Sequence, residues 1–231
     1  MGITLTGLVL GRSASRLDRG APTPSRPPGT PIERALKRAL DLAVAGMLLL
    51  VMCPVLATIA IAVKISDGGP ALYRWRIVGQ GGRPLTSYKF RSMVVNADEL
   101  KAGLEAANDV SGPTFKMRND PRVTTIGRFL RRYSLDELPE LWSVLTGDIS
   151  LVGPRPSLQS EYARFSDEQR AKVVVKPGIT CLWQISGRGE ITDFDERLRL
   201  DFEYIEHWSL RLDMAILLRT IPAVLSGRGA W

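Results

Sequence analysis

LAVAGMLLLVMCPVLATIAIAV, residues 42–63, holds 22 consecutive residues without a charge. As an α-helix rising ~1.5 Å per residue it reaches ~33 Å, enough to cross a hydrocarbon core ~30 Å thick. Length alone therefore fits an ordinary span. Two features point elsewhere. Pro54 stands near the middle, where it lacks the N–H for one helical hydrogen bond and its ring meets the carbonyl of Leu50. Both flanks are basic, with Arg34, Lys37 and Arg38 before the run and Lys64, Arg74 and Arg76 after it. The preference of positive flanks for the cytoplasm then gives a span no orientation. A helix that dips in, bends at Cys53-Pro54 and returns would place both flanks on the cytoplasmic face. The expectation is a re-entrant helix-break-helix over about residues 38–64.

The rest of the chain suits one domain of about residues 32–231, preceded by an arm over residues 1–31. Pro22, Pro24, Pro27, Pro28 and Pro31 sit in that arm among Ser, Thr, Gly and Arg, a composition that cannot offset its own ordering entropy, so it reads as flexible. Lys and Arg outnumber Asp and Glu by 31 to 24, a net charge of +7. The excess favours an anionic partner: nucleic acid, an anionic membrane face or a phosphorylated substrate. Residues 1–38 carry +5 of it, seven basic residues against Asp18 and Glu33. Two cysteines, Cys53 and Cys181, make neither a disulfide framework nor a zinc site and read as reduced thiols of a cytoplasmic environment. Ile3–Leu10 is short and lacks a basic segment before it, so no secretory signal is expected.

Beyond the apolar run the expected class is α+β, predominantly helical, with a small β element. In PLTSYKFRSMVV, residues 84–95, Lys89 and Arg91 alternate onto one face of a strand and Tyr88 and Phe90 onto the other. Helices are expected over 94–107, 122–133, 138–145, 193–206 and 209–225. The second opposes Ile126, Phe129, Leu130 and Tyr133 to Arg128, Arg131 and Arg132, a pattern shared by membrane-surface helices and solvated ones. The third carries Leu138, Leu141, Trp142 and Leu145 as one stripe.

The chemistry-bearing stretch is SLDELPELWSVLTGDISLVGPRP, residues 134–156. Ser134 and Glu137 match a capping box, and acidic residues in a first turn complement the helix dipole. That register, however, puts Pro139 fifth in the helix, where its missing N–H is needed. A helix starting nearer Leu138 leaves Asp136 and Glu137 just outside its end. Arg155, fixed between Pro154 and Pro156, reads as an aimed side chain or as a plain loop. With Lys89, Arg91 and Arg131 it would hold a pyrophosphate. Two carboxylates in such a nest call for a divalent cation, for which Mg²⁺ is suited, and a carboxylate can itself attack phosphorus. Ser186-Gly-Arg188-Gly189 is a weaker phosphate-nest signal. Trp183 reads as core, and the lone histidine, His207, supports no triad and reads as packing at an interface.

YKFRSM, DPRVTTIGRFLRRYSLDELPELWSVLTGDISLVGPRP, VKPGITCLWQISGR and WSLRLDMAILLRTIPAVLSGRGAW together resemble the bacterial sugar transferase family, the monotopic polyprenyl-phosphate phosphoglycosyl transferases. The likeness covers about residues 32–231. It implies transfer of a sugar-1-phosphate from a UDP-sugar to undecaprenyl phosphate with release of UMP, and a re-entrant membrane helix with a helix-breaking proline. It implies Asp136 as nucleophile and Mg²⁺ contact, and Glu137 as its assistant in deprotonating or positioning the lipid phosphate. Lys89, Arg131, Arg155 and Arg188 fall on the family's phosphate- and nucleotide-binding positions. It implies the cytoplasmic face of the bacterial inner membrane, a role at the first membrane step of exopolysaccharide, capsule or O-antigen synthesis, and no nucleic-acid partner. Trp75 and Cys181 depart from a frequent glutamine and glycine, which bears on sugar or nucleotide preference. Larger members carry extra membrane helices and a soluble domain, so the chain resembles the minimal form. Two competing readings are a glycosyltransferase that moves the sugar alone and releases UDP, and a non-enzymatic membrane-surface assembly protein.

Overall fold

Thr30 and Glu33 open the first helix, α1, Pro31–Asp67, in the structure, a computed structural model that describes residues 27–230. Glu33 Oε2 accepts from the Thr30 N–H at 2.8 Å, and Pro31 sits in the first turn, where a missing N–H costs nothing. Gly68, at φ 75°, ends the helix in the left-handed conformation that glycine adopts without strain. Most of the arm expected over residues 1–31 lies outside the described residues. The helix-break-helix expected at Pro54 is instead one helix that carries Pro54 in its interior, with Thr58 Oγ1 donating to the Pro54 carbonyl at 2.8 Å. A proline removes one bond of the ladder, while the turns on either side keep theirs.

α1 touches the body along a narrow stripe: Asp41, Ala45, Ile59 and Val63 are its buried residues. Leu50 and Ile65 are 78% and 77% exposed. The helix is long and apolar enough to cross a membrane, and only 11% of its most apolar window is buried. A helix apolar all round and left this bare is not a core helix of a water-soluble fold. Both ends are nevertheless fastened to the same body. Near the start, Lys37 Nζ donates to Asp213 Oδ2 at 2.6 Å and to the Val152 carbonyl at 3.0 Å. Arg38 donates to the carbonyls of Val144 and Leu145, and the buried Asp41 accepts from Ser150 Oγ and the Leu151 N–H. At the far end Asp67 pairs with Arg91.

Strands β1, Leu72–Val78, and β2, Pro84–Phe90, form an antiparallel hairpin with Tyr73 opposite Lys89 and Trp75 opposite Ser87. The strand ends at Phe90, whose ring packs in a second cluster with Ile59, Val63 and Leu130. The helix expected over 94–107 is reduced to one turn, Ala97–Leu100, and a 3₁₀ stretch, Ala102–Ala107; only Ala97 is buried there, too little apolar face to hold a longer helix. Helix α2, Thr125–Arg132, follows, capped by Thr124, and Gly127 lets it lie directly on the chain: a Cβ there would stand 1.9 Å from the Ser92 carbonyl oxygen. Its Leu130 is buried, but Phe129 is exposed and meets Tyr133 edge-on at 5.2 Å.

Helix α3, Glu140–Thr146, keeps most of the expected stripe, with Leu141 buried and Leu138 and Leu145 packed on the core, but departs from it at Trp142. Trp142 is exposed, and the buried side chains are Glu140, Leu141, Ser143 and Val144. The polar pair faces inward because β2 supplies partners, Lys89 to Glu140 and Ser87 to Ser143. Strands β3, Ser150–Val152, and β4, Gly178–Thr180, pair in parallel, Ser150 with Gly178 and Val152 with Thr180. Helices α4, Leu182–Ser186, α5, Phe194–Glu206, and α6, Leu210–Ser226, complete the described chain, the last two close to their expected limits. The main core gathers Ile77, Val144, Ile149, Leu198 and Ile216 between these elements. His207 is exposed in this chain and ends α5, its Nδ1 3.0 Å from the Glu203 carbonyl oxygen.

The tie between α1 and α6 is testable. Tyr204 and Trp208 also donate to Asp213, which is 1% exposed. Asp213→Asn leaves the Lys37 ammonium without its counter-charge and is expected to cost about 3 kcal/mol. Lys37→Met with Asp213→Leu should cost less than the two single changes summed, measured by thermal or denaturant unfolding of the detergent-solubilised protein.

Candidate active site

Lys89 is placed by the hairpin. It stands diagonally across from Trp75, and its ammonium lies 3.6 Å from the centre of the indole ring. From there Lys89 Nζ reaches Glu137 Oε1 at 2.8 Å and Glu140 Oε1 at 3.1 Å. Asp136 and Glu137 occupy a 3₁₀ turn, Leu135–Glu137, ahead of α3. The capping box is absent: Ser134 adopts φ 51° and makes no cap, and Glu137 turns to the cations instead. Because α3 starts at Glu140, Pro139 never occupies an interior position.

The arginines come from three further segments. Arg155 Nη2 donates to Glu137 Oε1 at 2.8 Å. Its turn is held where the β3–β4 backbones cross: Gly178 N–H donates to the Pro154 carbonyl at 2.9 Å, and a Cβ on Gly153 would lie 2.5 Å from the Lys176 carbonyl oxygen. Arg131, on α2, donates through Nε to Ser92 Oγ at 2.9 Å. Arg188 donates through Nη2 to Ser134 Oγ. Ser134 and Arg188 are the non-glycine residues with positive φ among the described residues, 51° and 53°, so the two strained positions touch each other here. The Gly189 N–H is taken by the Gly229 carbonyl, so Arg188 acts through its side chain rather than through a backbone nest. Arg91 borders the same cavity, but its guanidinium is committed to Asp67 and to the Pro70 carbonyl, which anchors the end of α1.

These groups line one cavity of about 410 Å³. Burial is the largest influence on Asp136 and, with the neighbouring Glu137 charge, pushes its carboxyl above the usual range against the pull of Lys89, Arg131 and Arg155. Burial also works against the Glu137 anion, but Arg155 and Lys89 overcome it and hold that carboxyl well below the usual range. The same ion pair raises Arg155 despite its desolvation. Burial, with the cations Arg155, Arg197, Arg188 and Arg131, pushes Lys116 down to about 7. None of the ion pairs among the described residues takes up Arg131, Arg188 or Arg197. One end of the cavity therefore holds a buried anion pair, and beside it stand Arg131, Arg155 and Arg188, with the acidic side chains of Asp98, Glu161 and Asp201 elsewhere on the wall. The arginines suit phosphate oxygens, and of the adjacent pair Asp136 is the carboxylate outside every ion pair.

Sequence reasoning missed Lys116, Glu140 and Arg197. Glu140 had a signal, its three-residue spacing from Glu137 on one helical face. Arg197 and Lys116 had none, since only the fold turns α5 and the 108–118 loop toward the cavity. Trp183, read as core, is both: it is 7% exposed, lines the cavity and carries the guanidinium of Arg197 at 5.1 Å from its ring centre.

Comparison with known proteins gives a family match. The family model described as bacterial sugar transferase matches residues 32–227. The galactosyl transferase CpsE of Streptococcus agalactiae is 46% identical over 196 residues, which cover 84% of this chain and 43% of that protein. The exopolysaccharide production protein ExoY of Rhizobium meliloti is 38% identical over 205 residues, 87% of this chain and 90% of that protein. The UDP-glucose:undecaprenyl-phosphate glucose-1-phosphate transferase of Escherichia coli is 41% identical over 197 residues, 82% of this chain and 40% of that protein. The chain thus spans less than half the length of the first and third of these relatives.

The buried carboxyl of Glu140 makes stability depend on pH. Burial, reinforced by Glu137 and opposed by Lys89, lifts it from 4.5 to about 7. A carboxyl whose folded pKa is raised favours the folded chain most below its unfolded pKa, and that advantage is lost as pH rises through about 7. Glu140→Gln escapes this loss. Its melting temperature relative to the unaltered protein is expected to be higher at about pH 8.5 than at about pH 6; a difference that stays constant or shrinks contradicts the assignment.

Proposed function

The chain belongs to the bacterial sugar transferase family, and we propose that it moves a sugar-1-phosphate from a UDP-sugar to undecaprenyl phosphate, releasing UMP, through a covalent aspartyl intermediate. The observation that carries the reading is a buried carboxylate, Asp136, that no ion pair takes up and that lines one cavity with Arg131, Arg155 and Arg188. The names of relatives that act on undecaprenyl phosphate and UDP-glucose support the substrate classes, and the name of ExoY supports a part in exopolysaccharide production.

In the first step an Asp136 carboxylate oxygen attacks the sugar-bearing phosphorus. The bond from that phosphorus to the bridging oxygen breaks, and UMP leaves with the electron pair. Arg131, Arg155 and Arg188 hold the diphosphate and take up the charge that develops on the departing phosphate. In the second step an oxygen of the lipid phosphate attacks the same phosphorus and frees Asp136. Glu137, held strongly ionised by Arg155 and Lys89, is a weak base and acts by accepting a hydrogen bond that orients the lipid phosphate. No three His, Cys, Asp or Glu side chains form a metal cage among the described residues. One carboxylate, Asp136, completed by donor phosphate oxygens and water is a donor set that fits Mg²⁺. When bound there, Mg²⁺ would neutralise pyrophosphate charge beside the two carboxylates.

The membrane path follows from α1. Its two ends are fastened to one body, through Lys37 and Asp213 and through Asp67 and Arg91, whereas a span would carry them to opposite faces. We read both ends of α1 as lying on the cytoplasmic face; a bend taken in lipid would fall at Pro54, where the unbroken helix already lacks one bond of its ladder. Tags after Arg38 and after Lys64 are both expected on that face; a periplasmic tag after Lys64 establishes a span instead.

The chemistry has its own test. Incubation with UDP-glucose or UDP-galactose and Mg²⁺, without lipid, is expected to give a stoichiometric burst of UMP and a protein adduct labile to hydroxylamine. Asp136→Asn should abolish both, and release of UDP would favour transfer of the sugar alone. Arg155→Lys keeps the charge but loses the planar fork, and turnover is expected to fall about 10²-fold. An adduct that forms equally well on Asp136→Asn places the nucleophile elsewhere.

A further inference from the structure

Glu140 is 2% exposed and does not border the cavity, so it cannot touch a substrate held there. Its Oε1 lies 3.1 Å from Lys89 Nζ, the ammonium that also reaches Glu137 Oε1 at 2.8 Å and lies over the Trp75 ring at 3.6 Å. An ammonium has three N–H groups, and two carboxylates with one ring face occupy all of them. We propose that Glu140 is a positioning residue acting through Lys89: it holds the ammonium between Trp75 and Glu137, so that Lys89 is the fixed counter-charge of the dyad and not a ligand for substrate phosphate.

The arrangement has a consequence for Asp136. Lys89 carries a flexible four-carbon stem, and a freed ammonium would be drawn to whichever anion it could reach. Among the described residues no ion pair joins Lys89 to Asp136; the lysine pairs with Glu137 and Glu140 instead. Pinning it there leaves Glu137 compensated from two sides, by Lys89 and Arg155, and leaves Asp136 without a direct counter-charge. A carboxylate bound to an ammonium is the weaker nucleophile. Glu140 thus separates the roles of two adjacent carboxylates that have nearly the same surroundings in the chain. Local geometry explains how: one turn of chain carries Glu137 to Glu140 across Pro139, and both side chains meet β2 on the same face. The carboxyl is lifted to about 7 by burial, with Glu137 adding and Lys89 opposing, so an amide that offers the same oxygen acceptor is a fair replacement.

The inference rests on the sugar-phosphate transfer proposed above, and its test separates the two. The full chain in detergent is assayed with undecaprenyl phosphate and whichever of UDP-glucose and UDP-galactose the unaltered protein turns over. Glu140→Gln is expected to keep kcat within about threefold, while Glu140→Met lowers it about 10²-fold with donor KM unchanged. Lys89→Met with Glu140→Met should be no slower than Lys89→Met alone, because both remove the same interaction. Unchanged kcat in Glu140→Met, or losses that multiply in the double variant, overturn the proposal. Should Glu140→Met not fold, Glu140→Asp takes its place: it keeps the charge but shortens the reach, and a comparable loss of kcat is expected. A second readout needs no turnover. Glu140→Met, or Glu140→Asp in its place, should shift tryptophan emission of the substrate-free protein, and Trp75→Phe should remove that shift; no shift sinks the proposal. If neither donor is turned over, the emission result alone decides the role of Glu140.

Discussion

Two adjacent carboxylates, Asp136 and Glu137, are buried at the bottom of one cavity, and most of the surrounding architecture answers the charge they bring. A buried anion without a counter-charge costs several kcal/mol, so the chain must deliver cations to one point from distant segments. Lys89 arrives on a hairpin and Arg155 on a turn between two prolines; both converge on the same Glu137 oxygen. Arg131 and Arg188 come from a helix and a glycine-flanked turn, and their carboxylate-free guanidiniums leave the cavity wall positive. Glu137 is thus neutralised within the protein, while Asp136 and the remaining arginines stay open to a partner that brings its own negative charge.

Rigidity in this region is built from backbone crossings rather than from a large sheet. Gly153 and Gly178 let β3 and β4 pass where no Cβ fits, and that crossing aims Arg155. Gly127 lets α2 rest on the carbonyl of Ser92, whose hydroxyl then accepts from Arg131. Ser134 and Arg188 both hold left-handed backbone conformations and are joined side chain to side chain. Strain of this kind persists only where neighbours over-determine it. Here it occurs next to the two carboxylates.

α1 imposes the second constraint. It is long and apolar enough to cross a membrane, and too little covered by the rest of the chain to be a core helix. Its inner stripe and both ends are tied to the body by buried polar contacts, from Lys37, Arg38 and Asp41 at one end to Asp67 at the other. The body to which α1 is tied holds the cavity, and Arg91 connects them: it borders the cavity while it grips the end of the helix.

Much was legible in the chain itself. An uncharged run of 22 residues specifies a long apolar helix because hydropathy and length are local properties. Pro139 placed the helix start correctly, because a missing N–H forbids an interior position whatever surrounds it. The ends of α5 and α6 follow from their periodicity and from the capping residues Asp193 and Ser209. The chain also carried the family motifs that named Asp136, Glu137 and Arg155. It could not say that Glu140 and Ser143 of α3 turn inward beside the leucines, since they are polar and are buried only because Lys89 and Ser87 stand opposite. Nor could it separate Lys89 from Arg91, which alternate alike along the strand. Tertiary contacts send one to Glu137 and the other to Asp67. Charged side chains follow their partners, and where those partners lie far apart in sequence only the folded chain brings them together.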